Sequence, residues 1–225
     1  WSSDVCSSDL VGGPGSGKST LFKLLLDIQH APKNSIYFGS TDIQDIPLST
    51  LRNSIAYAPS TPSLLSVSIR DNIQFGYRND ESSRLTIEEA AERAGLFRDL
   101  EERIEGARKH DNLEEGGSNV SGGQRQRISL ARAFYKDAPY LLLDDAFSAL
   151  DAHSLSHILE TLRSNRDQTI VCISQRLEAL EGADCIYVFH EGHIVESGTR
   201  GELLQQKGMY YQLVMLQKRG DSDEN

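Results

Sequence analysis

Residues 12–20 read Gly12-Gly13-Pro14-Gly15-Ser16-Gly17-Lys18-Ser19-Thr20, and the first eight match the pattern G-x-x-x-x-G-K-[ST]. Glycines at these positions let backbone N–H groups curl around phosphate oxygens. A helix beginning at Lys18 points its positive end at the same place. Lys18 is placed to reach the β- and γ-phosphates of a nucleotide, and Ser19 to bind Mg²⁺. Alone, the stretch says nucleoside triphosphate and no more. It also sets the fold, because such a loop joins a buried parallel strand to a helix.

Upstream, residues 1–10 read WSSDVCSSDL. A buried strand should be a short Val/Ile/Leu run, and only Leu10 and Val11 supply one. Residues 1–10 are therefore expected to be a non-native segment standing where the native N-terminal strands are truncated. A poor native strand is the alternative. There is no basic start and no apolar centre, so no signal-peptide pattern.

Downstream, Leu141-Leu142-Leu143-Asp144-Asp145 is an apolar strand ending in two acids, and strand ends of parallel sheets are where ligands sit. Asp144 is placed to hold Mg²⁺ through water and Asp145 to touch the attacking water. A cap after a core strand is the bland alternative. Ser121-Gly122-Gly123-Gln124 opens a helix rich in Arg and Gln. A hydroxyl with unobstructed N–H groups makes an anion site, or else a flexible capped loop.

The remaining pattern alternates short apolar strands (35–38, 55–57, 140–143, 169–173, 185–189, 193–196) with helices (21–28, 86 onward, 121–134, 153–163, 201–206, 209–217). This predicts an α/β fold with a mostly parallel sheet flanked by helices, and an inserted α-helical subdomain over about 67–136. Residues 106–117 read as a loop and 219–225 as a disordered polar tail.

The chain has 225 residues, 25% charged and 38% hydrophobic, an ordinary globular composition. No stretch approaches the ~18 apolar residues of a membrane span. With 23 Lys+Arg against 33 Asp+Glu the net charge is −10, which repels phosphate backbones and argues against a nucleic-acid partner. Cys6, Cys172 and Cys185 form no CxxC pair, and the last two sit in apolar runs that suit buried thiols in a reducing compartment. His190 and His193 flank a turn and are too few for a metal site. Glu101-Glu102 and Glu114-Glu115 read as solvated charge, and Arg125–Arg132 as a cluster pairing with local acids.

Together, the phosphate loop, Val120-Ser121-Gly122-Gly123-Gln124, the strand 141–145, Ser148-Ala149-Leu150-Asp151 and Ile173-Ser174-Gln175-Arg176 resemble the ATP-binding-cassette (ABC) transporter family in motif and order. The resemblance covers about residues 11–218. Stretches 68–76, 183–198 and 201–213 resemble exporters within that family. It implies a P-loop NTPase core that binds ATP and Mg²⁺ and powers export from the cytoplasmic face of the plasma (inner) membrane. The membrane domain would be fused upstream. It also implies head-to-tail pairing with a second nucleotide-binding domain. Each ATP would lie between Gly12–Thr20, Ser60, Asp144, Asp145 and Gln175 of one chain and Ser121–Gln124 of the other, with Asp151 crossing the interface. Lys18, Asp145 and Gln175 would carry catalysis, and Ser19, Ser60 and Asp144 the metal. The family's upstream adenine-stacking aromatic has no counterpart here. Chromosome-organising relatives put a long coiled coil between loop and signature, but only about a hundred residues separate them here, without heptads.

Three positions depart from the family pattern. Asp145 stands for Glu, Gln175 for His, and Ser60 for Gln. Asp is one CH₂ shorter, roughly 1 Å or more short of the water, a misplacement that can cost about 10²-fold in rate. Gln175 still hydrogen-bonds a phosphate but cannot become cationic. All three fall on one site while the signature, which serves the opposite site, is nearly intact. The expectation is the degenerate-site subunit of a heterodimeric exporter, paired with a different, competent chain. The alternatives are a slow homodimer, a decayed gene, a non-hydrolysing regulatory module, and a free-standing importer ATPase subunit.

Overall fold

The computed structural model describes residues 7–75, 85–96, 113–114, 117–164, 168–176, 179 and 182–223, with side chains to residue 217. Its centre is a six-stranded sheet ordered β4-β5-β6-β1-β7-β8. The strands are β1 (Ser7–Val11), β4 (Ile55–Ala58), β5 (Tyr140–Asp144), β6 (Thr169–Ile173), β7 (Cys185–His190) and β8 (His193–Gly198). All pair in parallel except β7 with β8, an antiparallel hairpin. Two short strands, β2 (Tyr37–Phe38) and β3 (Thr41–Asp42), form a separate hairpin. The mostly parallel α/β sheet is the expected fold.

Period-two alternation sends the strands' side chains to two covered faces. Ala56, Ala58, Leu141, Leu143, Ile170 and Cys172 pack on one side with Ile128, Leu155 and Ile158. Leu10, Ile55, Leu142, Val171 and Ile173 pack on the other with Phe22 and Leu51. The helices supplying these partners are α1 (Lys18–Leu25), α2 (Leu48–Ser54), α5 (Gly122–Lys136) and α6 (Ala152–Ser164). A third cluster joins Val11, Ile186 and Val188 to Leu203, Tyr210 and Val214 of α7 (Arg200–Gln206) and α8 (Met209–Asp223). The last helix runs past Gln217, where its apolar pattern stops, to Asp223. Among the described residues, no helix is long and apolar enough to cross a membrane.

Helices α3 (Ile69–Gln74) and α4 (Ile87–Arg93) lie with α5 in the stretch read as an inserted subdomain. Thr86 opens α4 with a capping box to Glu89, as its sequence suggests. Ile69, Ile73, Ile87 and Ala90 share one continuous apolar cluster with Ala56 and Leu141 of the sheet. Residues 97–112, with Glu101-Glu102 and most of the expected loop, lie outside the described residues, as does Cys6. Cys172 is buried and Cys185 half-buried, both as free thiols.

The ladder also takes in Ser7–Leu10, which composition sets apart from the domain. Ser7 to Leu10 pair with 170–173 of β6, and Ser8 to Val11 with 185–188 of β7. Backbone N–H and C=O groups make this ladder whatever the side chains are, so a Ser-Ser-Asp string occupies the central strand. One side chain does not suit the place. Asp9 is buried, its Oδ2 has no hydrogen-bond partner, and burial pushes its carboxyl up to about 8.

Candidate nucleotide site

The site forms at the C-terminal ends of β1 and β5. Between β1 and α1 the chain turns through Gly12 at φ 147°, Gly15 at 74° and Gly17 at 104°. Gly12 admits no side chain, because a Cβ there would stand 2.2 Å from the Phe189 carbonyl oxygen. The β7–β8 turn braces the loop from outside, with the Gly192 N–H donating to the Ser16 carbonyl at 3.0 Å. Lys18 Nζ donates to the carbonyls of Gly12 and Gly13 at 2.7 and 2.9 Å and to Ser16 Oγ at 2.9 Å. Burial lowers its pKa while Asp144 and Asp145 raise it.

Asp144, at the end of β5, accepts from Ser19 Oγ at 3.0 Å through Oδ1 and from Tyr57 Oη at 3.3 Å through Oδ2. The Ser19 hydroxyl and Asp144 carboxylate are hard oxygen donors held side by side, which fits Mg²⁺. Tyr57 was not singled out by the sequence reading. It lies one residue before the end of β4, packs edge-on against Phe22, and is pushed up to about 12 by burial and Asp144. Its signal was a tyrosine in a strand neighbouring β5, too common to stand out.

Asp145 follows in the left-handed region at φ 48°, which Asp tolerates better than most residues. Its N–H donates to the Ile173 carbonyl at 2.8 Å, and its Oδ1 is buried without a partner. Burial raises its pKa, and the Gln175 N–H pulls it down. Asp144, Asp145 and Lys18 thus converge, with the Gln175 backbone beside them. Ser60 is exposed, and its carbonyl accepts a hydrogen bond from Gln126 Nε2 at 3.4 Å.

The signature lies elsewhere on the chain. Ser121 and Gln124 form a capping box on α5, with Gln124 N donating to Ser121 Oγ at 3.1 Å and Ser121 N to Gln124 Oε1 at 2.9 Å. Gly123 permits close packing on 148–151, since a Cβ would fall 2.8 Å from the Ala149 carbonyl. Asp151 caps α6, accepting from Ser154 N and Oγ at 2.8 Å each. These bonds hold its carboxyl below the ordinary range.

Gln126, which the sequence reading passed over, ties these pieces together. It is buried and donates to the Asp145 carbonyl at 3.3 Å and Ser148 Oγ at 3.1 Å, while accepting from Ala149 N at 2.8 Å. The arginines of α5 hold backbone carbonyls, and the charge of Arg127 also lowers the pKa of Asp151. Arg125 reaches Gly117 and Val120, Arg127 reaches Gly95, and Arg132 reaches Asn72 and Ser63. Carbonyls at helix and loop ends need donors, and a guanidinium supplies several.

The family profile described as ABC transporter matches residues 8–148. The chain belongs to the ABC transporter family. It is 42% identical over 216 residues to an ATP-dependent lipid A-core flippase of Idiomarina loihiensis, covering 95% of this chain and 36% of that protein. A flippase of the same name from Chromohalobacter salexigens is 40% identical over 210 residues, covering 92% and 35%. The structure of a bacterial Atm1-family ABC exporter with ATP bound superposes with a TM-score of 0.84 at 29% identity, covering 95% of this chain and 37% of that one. The chain therefore spans about a third of the length of these relatives.

Proposed function

We propose that this chain is the ATP-binding and ATP-hydrolysing domain of an ABC exporter, with its own nucleotide site slowed. The observation that carries the reading is the meeting of Ser19 with Asp144 beside Lys18. Gly12–Thr20 would cradle the phosphates with backbone N–H groups, and Lys18 would exchange its carbonyl partners for the β- and γ-phosphates. Ser19 and Asp144 would hold Mg²⁺, with Ser60 at most an outer contributor. When bound, Mg²⁺ supplies charge neutralisation to the phosphates. Asp145 would orient the attacking water, and Gln175 would hydrogen-bond the γ-phosphate.

The proposed partners are a second nucleotide-binding domain and a membrane domain fused upstream, on the cytoplasmic face of the inner membrane. Ser121–Gln124 would meet the partner's ATP and Asp151 would lie at the interface. ATP then bridges two surfaces, and its hydrolysis removes the bridge. The shortened Asp145, uncharged Gln175 and short Ser60, beside a signature held in order by its capping box, support a degenerate site paired with a competent chain. The names of the lipid A-core flippases support a lipid cargo. Residues 1–10 are read as replacing native sequence.

Equilibrium binding of ATP in Mg²⁺ tests the nucleotide site. The parent should bind, and Lys18→Ala should lose about 10-fold or more in affinity, as expected for a charge-assisted phosphate contact. A parent that does not bind ATP would refute the reading.

A further inference from the structure

The loop at 174–176 is held from three sides. The Asp145 N–H reaches the Ile173 carbonyl at 2.8 Å. Arg176 donates to the carbonyls of Phe147 and Leu150 at 3.3 and 2.6 Å, which ties the loop to 147–150. On the remaining side, the Gln175 carbonyl accepts a hydrogen bond from Gln217 Nε2, 42 residues further along the chain.

Gln217 lies on α8, and that helix is itself fixed. The carboxylate of Glu196 on β8 accepts from the N–H groups of Met209 and Tyr210 at 2.5 and 3.0 Å. Tyr210 and Val214 are buried against Val11, Ile186 and Val188. From Tyr210 to Gln217 the helix rises about 10 Å, so a segment anchored on the sheet delivers one amide to the loop beside Asp145.

A carbonyl only accepts, so the Gln217 amide must present Nε2 to it. A peptide is a rigid plane, and a donor on the Gln175 carbonyl therefore fixes ψ of Gln175 and the direction in which Arg176 leaves. We propose that Gln217 is a positioning residue for hydrolysis, through which helix α8 sets the stance of the Gln175 loop and of Asp145 bonded to it. The inference rests on reading the chain as an ATPase, and it makes the C-terminal helix a point from which turnover is tuned without touching the phosphate loop.

The test compares Gln217→Ala and Gln217→Arg in the 225-residue chain, the Arg variant keeping an N–H donor. Turnover of Mg-ATP and amide hydrogen exchange without nucleotide are both measured. Loss of one hydrogen bond predicts exchange at 173–176 faster by about 5- to 10-fold in Gln217→Ala, with residues 12–20 unchanged. It predicts kcat lower by about 3- to 10-fold with KM unchanged, and recovery of both in Gln217→Arg. Unaltered exchange at 173–176 in Gln217→Ala overturns the proposal. So does loss of protection throughout the sheet with kcat and KM changing together, which is general destabilisation. A parent without turnover would sink the ATPase reading, while the exchange at 173–176 would still decide whether Gln217 holds the loop.

Discussion

Ser19 and Asp144 are 125 residues apart in the chain and 3.0 Å apart in space, hydroxyl to carboxylate. Two parallel strands, β1 and β5, end at the same side of the sheet with β6 between them. One continues into the phosphate loop and α1, the other into the acid pair. Neither residue has to be carried there by a long side chain, because strand ends set the position.

Asp144→Asn should therefore uncouple Mg²⁺ from nucleotide. In Mg²⁺, ATP affinity should fall by about 10-fold or more, on the scale of a charged hydrogen-bond partner. In EDTA it should change little. Equilibrium binding in the two buffers is the check, and an equal loss in both would assign Asp144 a purely structural role.

Asp9 makes stability depend on pH. Its carboxyl is raised to about 8 in the fold from the ordinary 3.8. Between those values the unfolded chain has released a proton that the folded chain keeps, so stability falls as pH rises through the window. The full penalty is on the order of 5 kcal/mol. Asp9→Val should stabilise the domain, and the gain should be several-fold larger at pH 8 than at pH 5. Urea unfolding at the two pH values measures it, and a gain independent of pH would contradict the buried-acid account.

Gly12→Ala should be severe. Its Cβ would meet the Phe189 carbonyl oxygen at 2.2 Å, in a backbone conformation at φ 147°. Backbone cannot swing away as a side chain does, so a loss of about 2 to 4 kcal/mol is expected, together with nucleotide binding. Thermal melting reads the first and ATP titration the second.

Gln126→Leu should cost about 2 to 3 kcal/mol although it adds apolar surface. It strands the Ala149 N–H, which Gln126 Oε1 accepts at 2.8 Å, and leaves Ser148 Oγ and the Asp145 carbonyl without that donor. Urea unfolding is the measurement. A neutral result would mean that 145–149 is held by other contacts.

The sheet and its two covered faces were legible because apolar runs such as 141–143 and 169–173 are bounded by clear turns. The phosphate loop and acid pair were legible because close backbone approach and strand-end chemistry restrict residue type. Tyr57 and Gln126 were not, since their roles come from neighbours far along the chain that no local pattern reveals. The carbonyl partners of the α5 arginines were not legible either, because sequence shows charges and hides orphan carbonyls. Ser7–Leu10 looked unlike a core strand because composition reports side chains, while the ladder that recruits them is made by backbone.

The slowed site is tested most directly by Mg-ATP turnover of the chain against a Ser60→Gln, Asp145→Glu, Gln175→His variant. The account predicts a slow parent and a gain of about 10²-fold in the variant, with ATP affinity little changed. A parent that already turns over at the variant's rate would contradict it, and would make this domain a competent motor able to work as a homodimer.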